Sequence, residues 1–535
     1  MYGSGTTRPL WSDRGAPARE RPPLAEDARA QTVVVGAGIA GLTAAYHLAR
    51  EGRDVLLLEK NRIGLGESGR TTAHITHVVD TLLQDLVATH GQGNAKGAWD
   101  AGAFALDAIE RIVRTEGIAC GFSRVDGYLY GDRARDVERL QKHATLARAF
   151  GYEVEELRGA AIPIPAPFAL RFPRQGKFDP AAYYEGLADA AQRHGARIHE
   201  RTEVRSLELP PGDGAARLTT NDGATATAER VVLAANWPFT DASTLYTKLY
   251  PHRTYVVTAR APAGTIPEAL YWEIVRRPRQ PYFYLRVDPQ GDGTDLLTLG
   301  GEDHKVGHGR PERSFAALEA YLRRLAPAAG EIEHRWSGQI VENMDDLPYI
   351  GASPRLGERV LLATAFSGNG MTFGTVAGWM LARRAMGHTT DWDGTFRPER
   401  MPVARTPDFV RQNADYPLGL VRVLLAGREP EAAEALPPGE GTVVVAGGRR
   451  VAVSRDGDGQ LRALDATCSH MRCLVRWNPV ERSWDCPCHG SRFAVDGSVL
   501  NGPATEPLSR VELPAPPVAA VHEPARARGD APADA

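Results

Sequence analysis

Thr32-Val33-Val34-Val35-Gly36-Ala37-Gly38-Ile39-Ala40-Gly41 is the stretch on which the fold of this chain turns. A short β-branched run meets a glycine turn, and a helical pattern follows through Leu42, Ala45, Leu48 and Ala49 to Gly52. Val55-Leu56-Leu57-Leu58 then reads as a second buried strand, closed by Glu59 and Lys60. Strand, glycine turn, helix, strand and acid within about 30 residues is the dinucleotide-binding arrangement. Gly36 permits the tight turn, Gly38 lets a pyrophosphate approach the backbone, and Gly41 lets the helix pack on the sheet. The helix N-terminus faces the phosphates and Glu59 accepts from ribose hydroxyls. The cofactor-binding candidates here are Gly36, Ala37, Gly38, Ile39, Ala40, Gly41, Glu59 and Lys60.

The glycine turn alone does not separate FAD from NAD. Gly64-Leu65-Gly66-Glu67-Ser68-Gly69-Arg70-Thr71-Thr72-Ala73 resembles the segment that runs beside the flavin in the D-amino-acid oxidase and glycine oxidase family. Thr202-Glu203-Val204, Arg230 to Asn236, Gly176 to Pro180 and Leu361 to Gly378 resemble further elements of that family. The resemblance spans about residues 31–390. It implies an α/β FAD-binding (Rossmann-like) domain interleaved with an antiparallel-sheet substrate domain. It adds Gly66, Ser68, Gly69, Arg70, Thr71, Thr72, Val204, Gly368, Asn369, Gly370, Met371 and Thr372 as FAD-binding candidates. A Gly turn opening a helix at Gly368–Gly370 would stabilise negative charge on the reduced flavin ring. No second glycine-rich strand-turn-helix unit appears, which argues against a pyridine-nucleotide reductase.

One departure bears on the substrate. The family often places an Arg after Trp-x-Gly to clamp a substrate carboxylate; in Trp336 to Gly351 the ungapped position is Ile340. An aliphatic side chain cannot make that bidentate contact. Arg286 is the first alternative clamp. Tyr282 and Tyr284 lie with Arg286 on an alternating run; core or surface strand positions are the first reading, facing the substrate pocket the second. His74 and His77 follow the flavin segment without the local pattern of a covalent flavin link, and His304 reads as structural or substrate-contacting. The sequence leaves the catalytic residues unassigned.

Five cysteines stand at 120, 468, 473, 486 and 488, four of them within 21 residues. Cys468-Ser469-His470 and Cys486-Pro487-Cys488-His489 form a C-x-H…C-x-x-H set. It suits a tetrahedral zinc site or a [2Fe–2S] cluster with two thiolates on one iron and two imidazoles on the other. The surrounding residues, to Asp496-Gly497 and Gly502-Pro503-Ala504, resemble Rieske loops over about residues 430–512. The resemblance implies a small all-β domain with one Rieske-type [2Fe–2S] cluster on Cys468, His470, Cys486 and His489. It further implies a Cys473–Cys488 disulfide tying the cluster loops. In quinol-oxidising Rieske proteins a Ser and a Tyr donate to the cluster; here Ser491 keeps the first and Phe493 replaces the second. Cys120 reads as a small buried residue.

The rest of the chain frames these two signals. Its 535 residues carry 63 basic and 66 acidic side chains, a net charge of −3, so nothing recommends nucleic acid or anionic membrane as a partner. The uncharged stretch Leu361–Ala382 is long enough for a bilayer but too polar, and no secretory signal or integral membrane segment is read. The expected order is a flexible segment 1–30, the FAD unit 31–390, a linker 391–429, the Rieske domain 430–512 and a disordered tail 513–535. The expectation is a cytoplasmic FAD-dependent oxidoreductase. It oxidises a small amine-type substrate and passes electrons singly through the cluster to an unidentified acceptor, or, with the flow reversed, takes them from an unidentified donor. The alternatives are an oxygen-using flavin amine oxidase with a structural Rieske domain, or a non-enzymatic redox sensor.

Overall fold

The computed structural model describes residues 5–13, 19–131, 133–212, 214–239, 245–275, 282–401, 406–413 and 431–512. Strands Gly357–Thr364, Thr225–Leu233, Ala28–Val35, Val55–Leu58 and Arg197–His199 lie side by side in parallel, with Tyr349–Ser353 antiparallel at one edge. Val33, Val34, Leu56, Leu57, Val231, Val232 and Leu361 are fully buried, as expected of strands covered on both faces. Helices Ile39–Arg50 and Gly370–Ala385 cross in close contact, so both open toward the same end of this sheet.

The second sheet holds Ser123–Gly131, Phe168–Lys177, Leu249–Pro262, Leu270–Glu273, Phe283–Pro289, Thr294–Lys305 and Ile332–Asn343. It is antiparallel except where Leu270–Glu273 pairs parallel with Ser123–Gly131, two strands joined by a long crossover rather than a hairpin. The stretch Leu361–Ala382 divides between a sheet strand and a core helix, and among the described residues no helix is long and apolar enough to cross a membrane. Residues 441–465 and 476–501 form two small antiparallel sheets, of three and four strands.

Two expected boundaries are corrected. The N-terminal segment packs down: Leu10 and Trp11 are buried, Trp11 Nε1 donates to Thr71 O at 2.6 Å, and buried Arg21 pairs with Glu185 and Asp189. A charge-rich, Pro-rich stretch is ordered here by tertiary partners its own pattern does not announce. The start of the expected linker also belongs to the body. Phe396 is fully buried, and the Arg400 guanidinium lies on the buried Asp345 carboxylate at 2.7 and 2.9 Å. Residues 414–430 and the expected tail lie outside the described residues.

A buried carboxylate lies at the contact between the C-terminal unit and the FAD unit. Glu481, in the turn between strands Arg476–Asn478 and Ser483–Asp485, lies 3.0 Å from Arg253 and 3.5 Å from Arg70, and accepts from the Ser337 hydroxyl. Thr7 joins from the N-terminal segment, its hydroxyl donating to Glu481 at 2.6 Å, while Thr6 donates to Val480 O. Burial alone would raise this carboxyl, but the charges of Arg70, Arg253 and Arg492 outweigh it and hold the group down at about 2.

Removing one member of such a buried set leaves uncompensated cations, so Glu481→Ala should cost about 3–5 kcal/mol of interface and fold stability. Urea titration followed by limited proteolysis at the interface checks this. Because the folded pKa lies below the ordinary 4.5, the contribution is fully present above about pH 4.5 and drains away as pH falls toward about 2.

Candidate functional site

A cavity of about 370 Å³ opens where the helices Ile39–Arg50 and Gly370–Ala385 begin. Gly36 takes φ +98° directly beneath the Ala234 carbonyl, a conformation and a clearance that exclude a side chain. Gly38 then caps the helix without a side-chain bond of its own, and the neighbouring Ile39 N–H donates to Ser68 Oγ at 3.2 Å. Glu59 accepts from the Ala37 and Asn61 N–H groups at 2.7 and 2.9 Å, which fixes the carboxylate beside the turn; burial pushes its pKa up.

Of the FAD-binding candidates, Gly36, Ala37, Gly38, Ile39, Ala40, Glu59, Lys60, Gly66, Ser68, Arg70, Thr71, Thr72, Val204, Gly368, Asn369, Gly370 and Met371 line this cavity. Gly41, Gly69 and Thr372 stand behind it. Gly41 and Gly69 sit against the carbonyls of Gly36 and Gly64, and Thr372 Oγ1 donates to Thr76 O at 2.8 Å, tying the second helix to the flavin segment. The cradle fits a dinucleotide: two helix N-termini meet there, neither capped by the side chain of its own N-cap residue, and the space around Gly66 and Gly370 is open.

The far end of the cavity is lined by His74, Thr254, Trp272, Tyr282, Tyr284, Asp303, Ile340 and Phe366. Tyr282 and Tyr284 therefore face the pocket, the second of the two readings the sequence left open. Alternation marks a strand's two faces but not which one borders a cavity. Thr254 Oγ1 and Tyr284 Oη are 2.7 Å apart. Arg286 is no clamp: its guanidinium is spent on Asp288 and on the carbonyls of Thr72 and Phe178, and it stacks on Trp11. It holds the flavin segment in place instead. His74 has Nδ1 against Thr72 Oγ1 and Nε2 against Leu285 O, and burial pushes it down to about 3, so it is a neutral imidazole with both nitrogens engaged. His77 lies apart, among Trp99, Tyr152 and Phe172, and His304 bonds Tyr255 Oη and Lys305 O.

In the C-terminal unit the loops 468–473 and 486–491 meet, joined by the Cys473–Cys488 disulfide. The rings of His470 and His489 stand 5.0 Å apart at right angles, and the Cys468 and Cys486 thiols are free and buried. Cys486 lies in hydrogen-bond contact with Cys468 and holds its thiol below the ordinary range against burial, aided by the His470 and Met471 N–H groups and the Ser491 hydroxyl. The N–H groups of Cys488 and His489 point at Cys486. Backbone donors aimed at two sulfurs, with two imidazoles alongside, fit a cluster with mixed ligands. Cys473 and Cys488 also lie close to Cys486, but a disulfide offers no thiolate, so that trio makes no metal site.

The histidine edge of this unit is turned toward the cavity. His470 meets the ring of Tyr246 at 6.1 Å, and Tyr246 meets Trp237, a cavity residue, at 5.9 Å. On the other side, Gln339 lines the cavity and donates to Gly490 O, next to His489, at 3.5 Å. Trp237, Tyr246 and Gln339 were not singled out from sequence, where nothing distinguishes them from ordinary core residues.

Donors to the cluster sulfurs favour the reduced state and raise its potential. Ser491 sits by Cys468, and Phe493 is fully buried among the four cysteines of the loops. Ser491→Ala should lower the midpoint potential and Phe493→Tyr should raise it. A change of about 1.4 kcal/mol corresponds to roughly 59 mV for one electron. Spectroelectrochemical titration of the three proteins at one pH measures both shifts.

Comparison with known proteins agrees with this geometry. The family profile described as FAD dependent oxidoreductase (DAO) matches residues 31–384, and that of the Rieske [2Fe-2S] domain matches residues 430–516. YhfW of Bacillus subtilis (strain 168), described as a Rieske 2Fe-2S iron-sulfur protein, is 31% identical over 92% of this chain and 95% of its own length. The gamma-glutamylputrescine oxidoreductase of Escherichia coli (strain K12) is 24% identical over 69% of this chain and 87% of its own. Glycine oxidase from Geobacillus kaustophilus shares the fold with a TM-score of 0.58 at 21% identity, covering 70% of this chain and 99% of that one. The chain belongs to the DAO family of FAD-dependent oxidoreductases and carries a Rieske [2Fe–2S] domain at its C-terminal end.

Proposed function

We propose that the enzyme oxidises an amine-type substrate at a C–N bond and delivers the electrons singly to the Rieske cluster, which passes them to an external one-electron acceptor. The observation that carries the proposal is the orientation of the cluster loops. The His470–His489 edge is packed on the wall of the cavity, through Tyr246 and Gln339. A domain kept only for structure would have no reason to turn its ligand edge inward. The amine class is supported by the name of the E. coli relative.

When bound, FAD supplies two-electron oxidation and the [2Fe–2S] cluster one-electron transfer. The chain's own part is to position and to exclude. The turn Gly36–Gly41, with Glu59, Ser68 and Val204, is assigned to hold the nucleotide, and Cys468, His470, Cys486 and His489 to hold the cluster. The N-terminus of the Gly370–Ala385 helix directs its unpaired N–H groups toward negative charge at the ring. Thr254 and Tyr284 present hydroxyls to the substrate, while Trp272, Phe366 and Ile340 exclude water. Ile340 gives a substrate carboxylate nothing to bind. We place the protein in the cytoplasm, where burial of Cys473 and Cys488 shields their disulfide from thiols.

Anaerobic stopped-flow mixing with a panel of amines tests the proposal. Flavin bleaching should come first and cluster reduction second, with simple primary amines faster than glycine or D-alanine. Tyr246→Leu should slow the second phase and leave the first unchanged. Rapid peroxide formation in air with a cluster that stays oxidised would contradict it, as would efficient turnover of glycine.

A further inference from the structure

The cavity assigned to FAD is not built by the FAD unit alone. Val499, Leu500, Asn501, Gly502, Pro503, Ala504, and the two residues after them, all from the Rieske unit, form part of its wall. The anchors of this segment fall on the nucleotide turn and on the flavin segment. Lys60 Nζ, one residue past Glu59, donates to Leu500 O at 3.1 Å. Asn501 Nδ2 donates to Glu67 Oε1 at 3.0 Å, and the other Glu67 oxygen takes the Gln339 N–H at 2.6 Å. Arg205, beside Val204, reaches Thr505 O at 3.4 Å, and Gly502 packs on Trp237. Inside the Rieske unit, Arg492 ties the segment back: its Nη1 donates to Asn501 at 3.2 Å and its Nε to Asp485 at 3.0 Å.

We infer that residues 499–506 of the Rieske unit are the cover of the FAD site, so that FAD enters and leaves only when the Rieske unit lifts from the FAD unit. The inference rests on the assignment of this cavity to FAD. It goes further in giving the Rieske domain a second role, retention of the flavin, that electron transfer does not require. Docking and FAD occupancy are then linked: whatever loosens the interface weakens FAD binding, and bound FAD stabilises the docked state by the same factor.

The interface can be loosened without touching the cavity. Gly307, in the turn after strand Thr294–Lys305, takes φ +72°, and a Cβ there would lie 2.8 Å from Pro487 Cα. Gly307 is not a cavity residue, and Asn tolerates positive φ, so Gly307→Asn is a wedge between the two units. Gly291, at φ +77° with open space around it, is the matched control.

The test measures FAD release from the full-length holoprotein by the rise in flavin fluorescence on dilution, with cluster content read by EPR. Gly307→Asn should release FAD faster than the parent, on the order of tenfold, while Gly291→Asn matches the parent and both keep the cluster. Hydrogen exchange at 499–501 should rise in step in the wedge variant alone. Equal release rates in the two variants overturn the inference, as does faster release with 499–501 still fully protected. Should Gly307→Asn not fold, Gly307→Ala places the same Cβ against Pro487 and is read in the same way. Purified protein without FAD would instead overturn the assignment of the cavity itself.

Discussion

Glu481 is a carboxylate with no access to water, set among Arg70, Arg253 and Arg492. Arg70 comes from the flavin segment, Arg253 from the substrate sheet, and Arg492 from the Rieske unit that also supplies Glu481. Buried charge of this kind is costly unless every member finds its partner. Glu481 meets both Arg70 and Arg253 only when all three parts of the molecule are in register. The N-terminal segment adds to the same point through Thr7. A contact so demanding specifies one docked geometry, and that geometry fixes everything at the interface.

From it follow the two features that give the protein its proposed chemistry. The first is the inward-facing histidine edge, with Tyr246 on one side and Gln339 on the other. The second is the segment 499–506 lying across the nucleotide end of the cavity. One rigid placement thus brings the cluster to the wall of the flavin cavity and closes that cavity. The FAD unit lends itself to this because the open ends of its two glycine-started helices already converge at one end of the sheet.

The two cofactors were legible in sequence for a local reason. The turn at Gly36 and the loops at Cys468 and Cys486 are short stretches in which backbone clearance or ligand chemistry dictates each residue. Long-range pairs leave no such mark. Trp11 and Arg21 sit in a stretch whose composition reads as unstructured, yet each is buried by a partner 60 or more residues away. Arg286 shows the converse: its charge suggested a ligand, but Asp288 and three backbone carbonyls consume it. Glu481 is one acid in an exposed-looking turn, and nothing near it in sequence names the arginines it joins.

The central claim is that the cluster lies against the wall of the flavin cavity. Anomalous scattering from iron in a crystal of the holoprotein locates it directly. The account predicts both irons beside His470 and His489, between Tyr246 and Gln339, with FAD in the cavity and residues 499–506 over its nucleotide end. Irons on a solvent-facing surface, with Glu481 separated from Arg70 and Arg253, would contradict it.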